Sequence, residues 1–101
     1  MTDLEMTKLC AEAMGITRPE WAMTERLDHL TIWQGDLSGD LIYQPLKDDA
    51  QAMALVKRFG LTCGPLGSGW WLVSPYGGDG VKNADLNRAI VECVARMQAS
   101  K

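Results

Sequence analysis

One histidine and three cysteines bound the side-chain chemistry open to this chain: His29, Cys10, Cys63 and Cys93. A Ser-His-Asp or Cys-His arrangement needs a general base beside its nucleophile, so any such site must use His29. His29 stands between Asp28 and Leu30, and a surface or half-buried imidazole is the simpler reading. Zinc sites bring paired ligands at C-x-x-C or H-x-x-x-H spacing, and neither pattern occurs here. The expectation is therefore no metal and no cofactor, with the three thiols packing as small hydrophobes. Their odd number and wide spacing argue against a disulfide framework and fit a reducing compartment.

Three loops invite a ligand reading and each has a plainer one. Gly64 to Gly69 contains G-x-x-G-x-G, but a phosphate-cradling loop runs into a helix, and Trp70-Trp71-Leu72-Val73 follows instead. A hairpin turn is the better assignment. Gly77-Gly78-Asp79-Gly80 leads toward a helix, yet Asp79 and Asp85 near that end repel an anion. Asp36 to Asp40 opens like a calcium loop, then places Leu41 and Lys47 where glycine and glutamate are required. Asp48 and Asp49 form the one acidic doublet, and helix capping accounts for them.

Ten Lys and Arg oppose thirteen Asp and Glu, a formal charge of −3. Nucleic-acid binders draw much of their affinity from a basic patch that displaces counterions. Here only Lys57 and Arg58 are adjacent. A nucleic-acid-binding accessory protein is the alternative function, and it needs Lys47, Lys57, Arg58, Lys82 and Arg88 on one face. No apolar run reaches the ~20 residues that span a bilayer. The polar, acidic start lacks a signal-peptide pattern, which points to the cytoplasm.

Periodicity places the elements that carry these residues. Thr2-Asp3-Leu4-Glu5 is a capping-box pattern, and Met6, Leu9, Cys10 and Ala13 recur at helical spacing up to a stop at Gly15. This predicts a helix over 3–14. Asp48 as N-cap, Gln51 three residues on, and Ala52, Leu55, Val56 and Phe59 on one side predict a second over 49–59, stopped by Gly60. Leu61 is then placed to meet Val56. Asn83 as N-cap and the stripe Leu86, Ile90, Cys93, Val94 and Met97 predict a third over 84–98.

The stretch from 16 to 45 is irregular. Pro19 suits the first turn of a short helix with Trp21, Leu27 and Leu30 on its apolar side. Leu30 to Trp33 reads as a strand, with Leu41 to Tyr43 returning against it as a hairpin across the turn Gln34 to Asp40. Leu61 to Cys63 and Trp70 to Val73 form a second hairpin. A strand with one wet face alternates apolar and polar residues. Trp70 to Val73 does not alternate, so both of its faces should be covered. The prediction is one α+β domain over 1–101, an α/β/α three-layer sandwich with three main helices around a small antiparallel sheet.

Three stretches in this order resemble the phage ABA sandwich domain, a family of small phage and prophage proteins: Tyr43 to Ala52, Gly69 to Val73, and Asp85 to Cys93. The resemblance covers roughly residues 40–97, with 46–98 the best-matched part and a weaker echo in the first helix. It implies a three-layer fold and a phage or prophage origin in a bacterial host cell. It carries no catalytic residues and no ligand. Residues 17–40 fall outside it.

Four tryptophans in 101 residues is a rich supply. Core packing is one use for them, since aromatics dominate burial. Binding hot spots are the other. The sharper expectation is a partly exposed patch of Trp21, Trp33 and Tyr43 that binds a protein partner or a second copy as a homodimer. With no active-site motif in view, the expected function is non-catalytic: a small accessory protein acting by protein interaction or self-association.

Overall fold

Each helix forms where its cap and its apolar stripe agree. The structure is a computed structural model that describes residues 1–16, 22–25, 29–33, 40–76 and 78–101, with the backbone alone for Ala22, Trp33 and Asp40. Helix α1 (Asp3–Ala13) starts at Thr2, whose hydroxyl accepts from the Glu5 N–H at 3.1 Å. Helix α2 (Asp49–Phe59) starts at Asp48 and ends at Gly60, φ +63°. There the Leu61 N–H reaches back five residues to the Val56 carbonyl at 3.1 Å, the Schellman bond expected from the sequence. Helix α3 (Leu86–Ala99) is capped by Asp85, whose carboxylate accepts from the Arg88 N–H. Asn83 is one layer further out, accepting from the Asp85 N–H at 2.9 Å. The cap thus belongs to Asp85 rather than Asn83, because Val81–Asn83 is drawn into a strand.

The strands divide into two three-stranded antiparallel sheets. Sheet A is β1 (Ala22–Glu25), β2 (Leu30–Trp33) and β3 (Asp40–Tyr43), in that order. Sheet B is β4 (Thr62–Pro65), β5 (Trp71–Ser74) and β6 (Val81–Asn83), also in chain order. The predicted 30–33 and 41–43 hairpin is present, with Leu30 opposite Tyr43 and Ile32 opposite Leu41. The predicted short helix is not what residues 22–25 form, for they pair with β2, and Leu30 lies in β2 itself. Trp21 and Leu27 lie outside the described residues.

The α+β class with three helices is as expected, and α3 is the element on which the rest converges. It packs against α1, α2, β5 and β6, while α1 also touches β2. Order of contact therefore runs sheet A, α1, α3, sheet B, within extents of 46 × 25 × 23 Å. One apolar cluster links them: Met6 and Cys10 of α1, Leu30 and Ile32 of β2, Leu55 of α2, Ile90 and Val94 of α3, and Val73 and Val81 of sheet B. Cys10 donates to the Val91 carbonyl at 3.4 Å across the α1–α3 seam.

The Trp70–Val73 run is treated unequally on its two sides. Val73 is buried beside Val81 and faces α3. Leu72, on the opposite side, is half-buried, with exposed Lys82 paired across from it. A methyl on Gly80 would come within 2.6 Å of Leu72 Cδ1. Gly80 thus covers part of Leu72 and leaves the rest open.

Candidate functional site

Among the described residues, the exposed tryptophan is at the tip of sheet B. Between β4 and β5 the chain turns through residues 66–70, closed by Leu66 N–H to the Trp70 carbonyl at 2.9 Å and Trp70 N–H to the Gly67 carbonyl at 3.2 Å. Leu66 is 48% exposed and Trp70 50%. Position parity along β4 and β5 puts both on the side of Leu72 and Gly64, away from α3. The result is a small apolar surface of Leu66, Trp70 and Leu72, beside a glycine that leaves the sheet backbone accessible.

A cleft lies at the same end of sheet B. Trp71 pairs with Asn83, where β6 ends and α3 is about to start. There Asp49, Met53, Asp85, Leu86, Asn87 and Ile90 line a space of ≈ 370 Å³. The starts of all three helices are joined in this region. Arg88 makes two parallel bonds to Asp3, at 2.8 and 2.9 Å, and Asn87 Nδ2 donates to Asp49 Oδ1 at 2.7 Å. Asp3 with Arg88, and further along Cys10 with Val91, mean that α1 and α3 run in the same direction. Helix starts carry partial positive charge, so bringing them together is unfavourable unless acids sit there. Asp3, Asp48, Asp49 and Asp85 supply them. Hydrogen bonding to Asp3 raises the Arg88 pKa further above its already high range.

The thiols named from the sequence are elsewhere and stay protonated. Burial pushes the Cys10 thiol up to about 12. Burial also raises Cys63 and Cys93. A thiol held neutral at pH 7 is a poor nucleophile. His29 is half-buried just before β2. Among the described residues, no three of His, Cys, Asp and Glu gather into a set that could hold a metal ion. Arg88, one of five cations that a nucleic-acid face requires, is committed to Asp3. It sits at the starts of the helices, whereas Lys57 and Arg58 are in the last turn of α2.

Of the expected interaction residues, Tyr43 is a correction. It is 5% exposed, on the inner side of sheet A opposite Leu30, and its hydroxyl has no hydrogen-bond partner among the described residues. Burial raises its pKa as well. Trp33 pairs through its backbone with Ala22 and Asp40, and its side chain lies outside the description, as does all of Trp21. Trp70 and Leu66 were hidden by the assumption that the whole 70–73 run lies inside the sheet. Their signal was position: an apolar residue directly after Gly67-Ser68-Gly69 sits at the hairpin end, past the helix that covers the strand.

No family model matches the chain, and neither does any curated protein or solved structure.

Proposed function

We propose that this chain is a non-catalytic interaction module, a small accessory protein of phage or prophage type that works in the cytoplasm of a bacterial host by binding a protein partner or a second copy of itself. The half-exposed Trp70 beside the half-exposed Leu66, on a turn closed by two backbone hydrogen bonds, carries this reading. Tryptophan is the residue type most enriched at binding hot spots, and a rigid hairpin presents it with little entropy left to lose. The neutral thiols and the commitment of Arg88 to Asp3 favour it over a small enzyme or a nucleic-acid binder. The phage assignment rests on the resemblance of residues 43–52, 69–73 and 85–93.

Leu66 and Trp70 offer on the order of 200 Å² of open side chain, against roughly 800 Å² per partner in a stable interface. The expected complex is accordingly transient, with Trp70 as its anchor. Sedimentation velocity over a wide concentration range, with chemical cross-linking, tests this on the chain and on Trp70→Ala. Association that the substitution weakens supports the reading. A strict monomer whose cross-linked products are the same with and without Trp70, and which retains nothing from a bacterial lysate, removes it.

A further inference from the structure

The pattern Asp48-x-x-Gln51 predicts a reciprocal capping box, and half of it forms. The Gln51 N–H donates to Asp48 Oδ1 at 3.1 Å. The Gln51 side chain goes elsewhere. Its Nε2 donates to the Ile42 carbonyl at 2.8 Å, and its Oε1 accepts from the Gln44 N–H at 2.6 Å. Ile42 belongs to β3 and Gln44 directly follows it, and among the described residues β3 is an edge strand paired with β2 alone. One side-chain amide therefore takes an acceptor and a donor two residues apart on the outer edge. A peptide unit of an added strand bonds the same kind of pair. Ile42 is also 49% exposed, and an open edge with an exposed aliphatic residue invites edge-to-edge pairing.

We propose that Gln51 guards the β3 edge: by occupying the Ile42 carbonyl and the Gln44 N–H, it keeps a second copy of this chain from extending sheet A through β3. The guard is placed by backbone bonds: the Lys47 and Asp48 N–H groups both donate to the Gln44 carbonyl at 2.9 Å, and the Ala52 N–H donates to the Asp48 carbonyl at 3.0 Å, so residues 44–52 stay connected without the Asp48 side chain. Sheet B protects its edges by other means. β4 ends in Pro65, which has no N–H to offer, and β6 is three residues long.

Sedimentation velocity on Gln51→Ala at rising concentration tests the guard. The expected result is a concentration-dependent dimer whose dissociation constant is tighter than that of the unmodified chain by about tenfold or more. Adding Ile42→Lys, which puts a charge on the exposed edge, should reverse it. Asp48→Ala weakens the same helix start but keeps the amide of Gln51, and it should sediment as the unmodified chain does. If Gln51→Ala matches the unmodified chain at every concentration, or if Asp48→Ala associates equally, the guard is overturned. Gln51→Met keeps the length without either bond and replaces the alanine variant should that fail to fold. Repeating the series in the Trp70→Ala background reads the edge alone, so the guard and the interaction surface can fail separately.

Discussion

Sheets A and B have equal strand numbers and the same antiparallel order, yet they join the helices differently. Sheet A buries Leu30, Ile32 and Tyr43 beside α1 and is tied down by polar contacts as well. Lys8 of α1 meets Glu25 of β1 at 2.6 Å, and Gln51 of α2 holds β3. The Lys8–Glu25 pair is exposed and adds little stability, though it favours one placement of β1. Sheet B joins α3 through the apolar row Cys63, Val73 and Val81. Its outer side is left to Leu66, Trp70 and Leu72. One sheet thus has its free edge held by a side chain, while the other carries a half-exposed tryptophan at its tip. An interaction surface needs the second kind of sheet, because side chains committed to internal bonds cannot also bind a partner.

Core truncation should separate the two sheets most strongly. Leu30→Ala, at a fully buried site beside α1, is expected to cost about 2–5 kcal/mol by urea unfolding. Val73→Ala loses fewer methyl groups and should cost about 2 kcal/mol. Equal losses would mean that sheet B is as deeply anchored as sheet A.

Alkaline pH is the next largest lever. The Cys10 thiol titrates near 9.0 when unfolded and is pushed up to about 12 by burial in the fold. A raised thiol pKa means that the unfolded chain gives up its proton first, so stability falls as pH rises through the window from 9.0 to about 12. One unit above the unfolded value the loss is about 1.4 kcal/mol for this group. Unfolding curves at neutral and alkaline pH should show that Cys10→Ala flattens this slope more than Cys63→Ala does, since Cys63 is only half-buried.

Two smaller effects complete the contrast. Gly60→Ala places a side chain at φ +63° in the stop of α2 and should cost about 1 kcal/mol by thermal melting. Trp70→Ala should change stability by no more than about 0.5 kcal/mol while it weakens association. A large loss of stability there would make Trp70 a structural residue and close the interaction reading.

The parts legible in advance were those whose cause is local. Thr2 with Glu5, Asp48 with Gln51, and Gly60 with Leu61 each fix a helix end through bonds spanning a few residues, so α1 starts, and α2 starts and ends, where the pattern says. The 30–33 and 41–43 hairpin was legible for the same reason. β6 was not, because Val81-Lys82-Asn83 becomes a strand only by pairing with β5, and that pairing moves the α3 cap to Asp85. The fate of Tyr43 was hidden too. Nothing within its own segment says whether Leu30 or solvent lies opposite.

Composition and periodicity by themselves determined the α+β class, the three helices with their apolar stripes, and the shortage of groups for acid–base or metal chemistry. Only the tertiary structure decided that the strands form two sheets, that Gln51 serves an edge as well as a helix, and that Trp70 rather than Tyr43 meets solvent. Caps and stripes depend on neighbours three or four positions away, which the chain writes down directly. Exposure depends on which distant segment arrives to cover a residue, and that is settled when the layers pack.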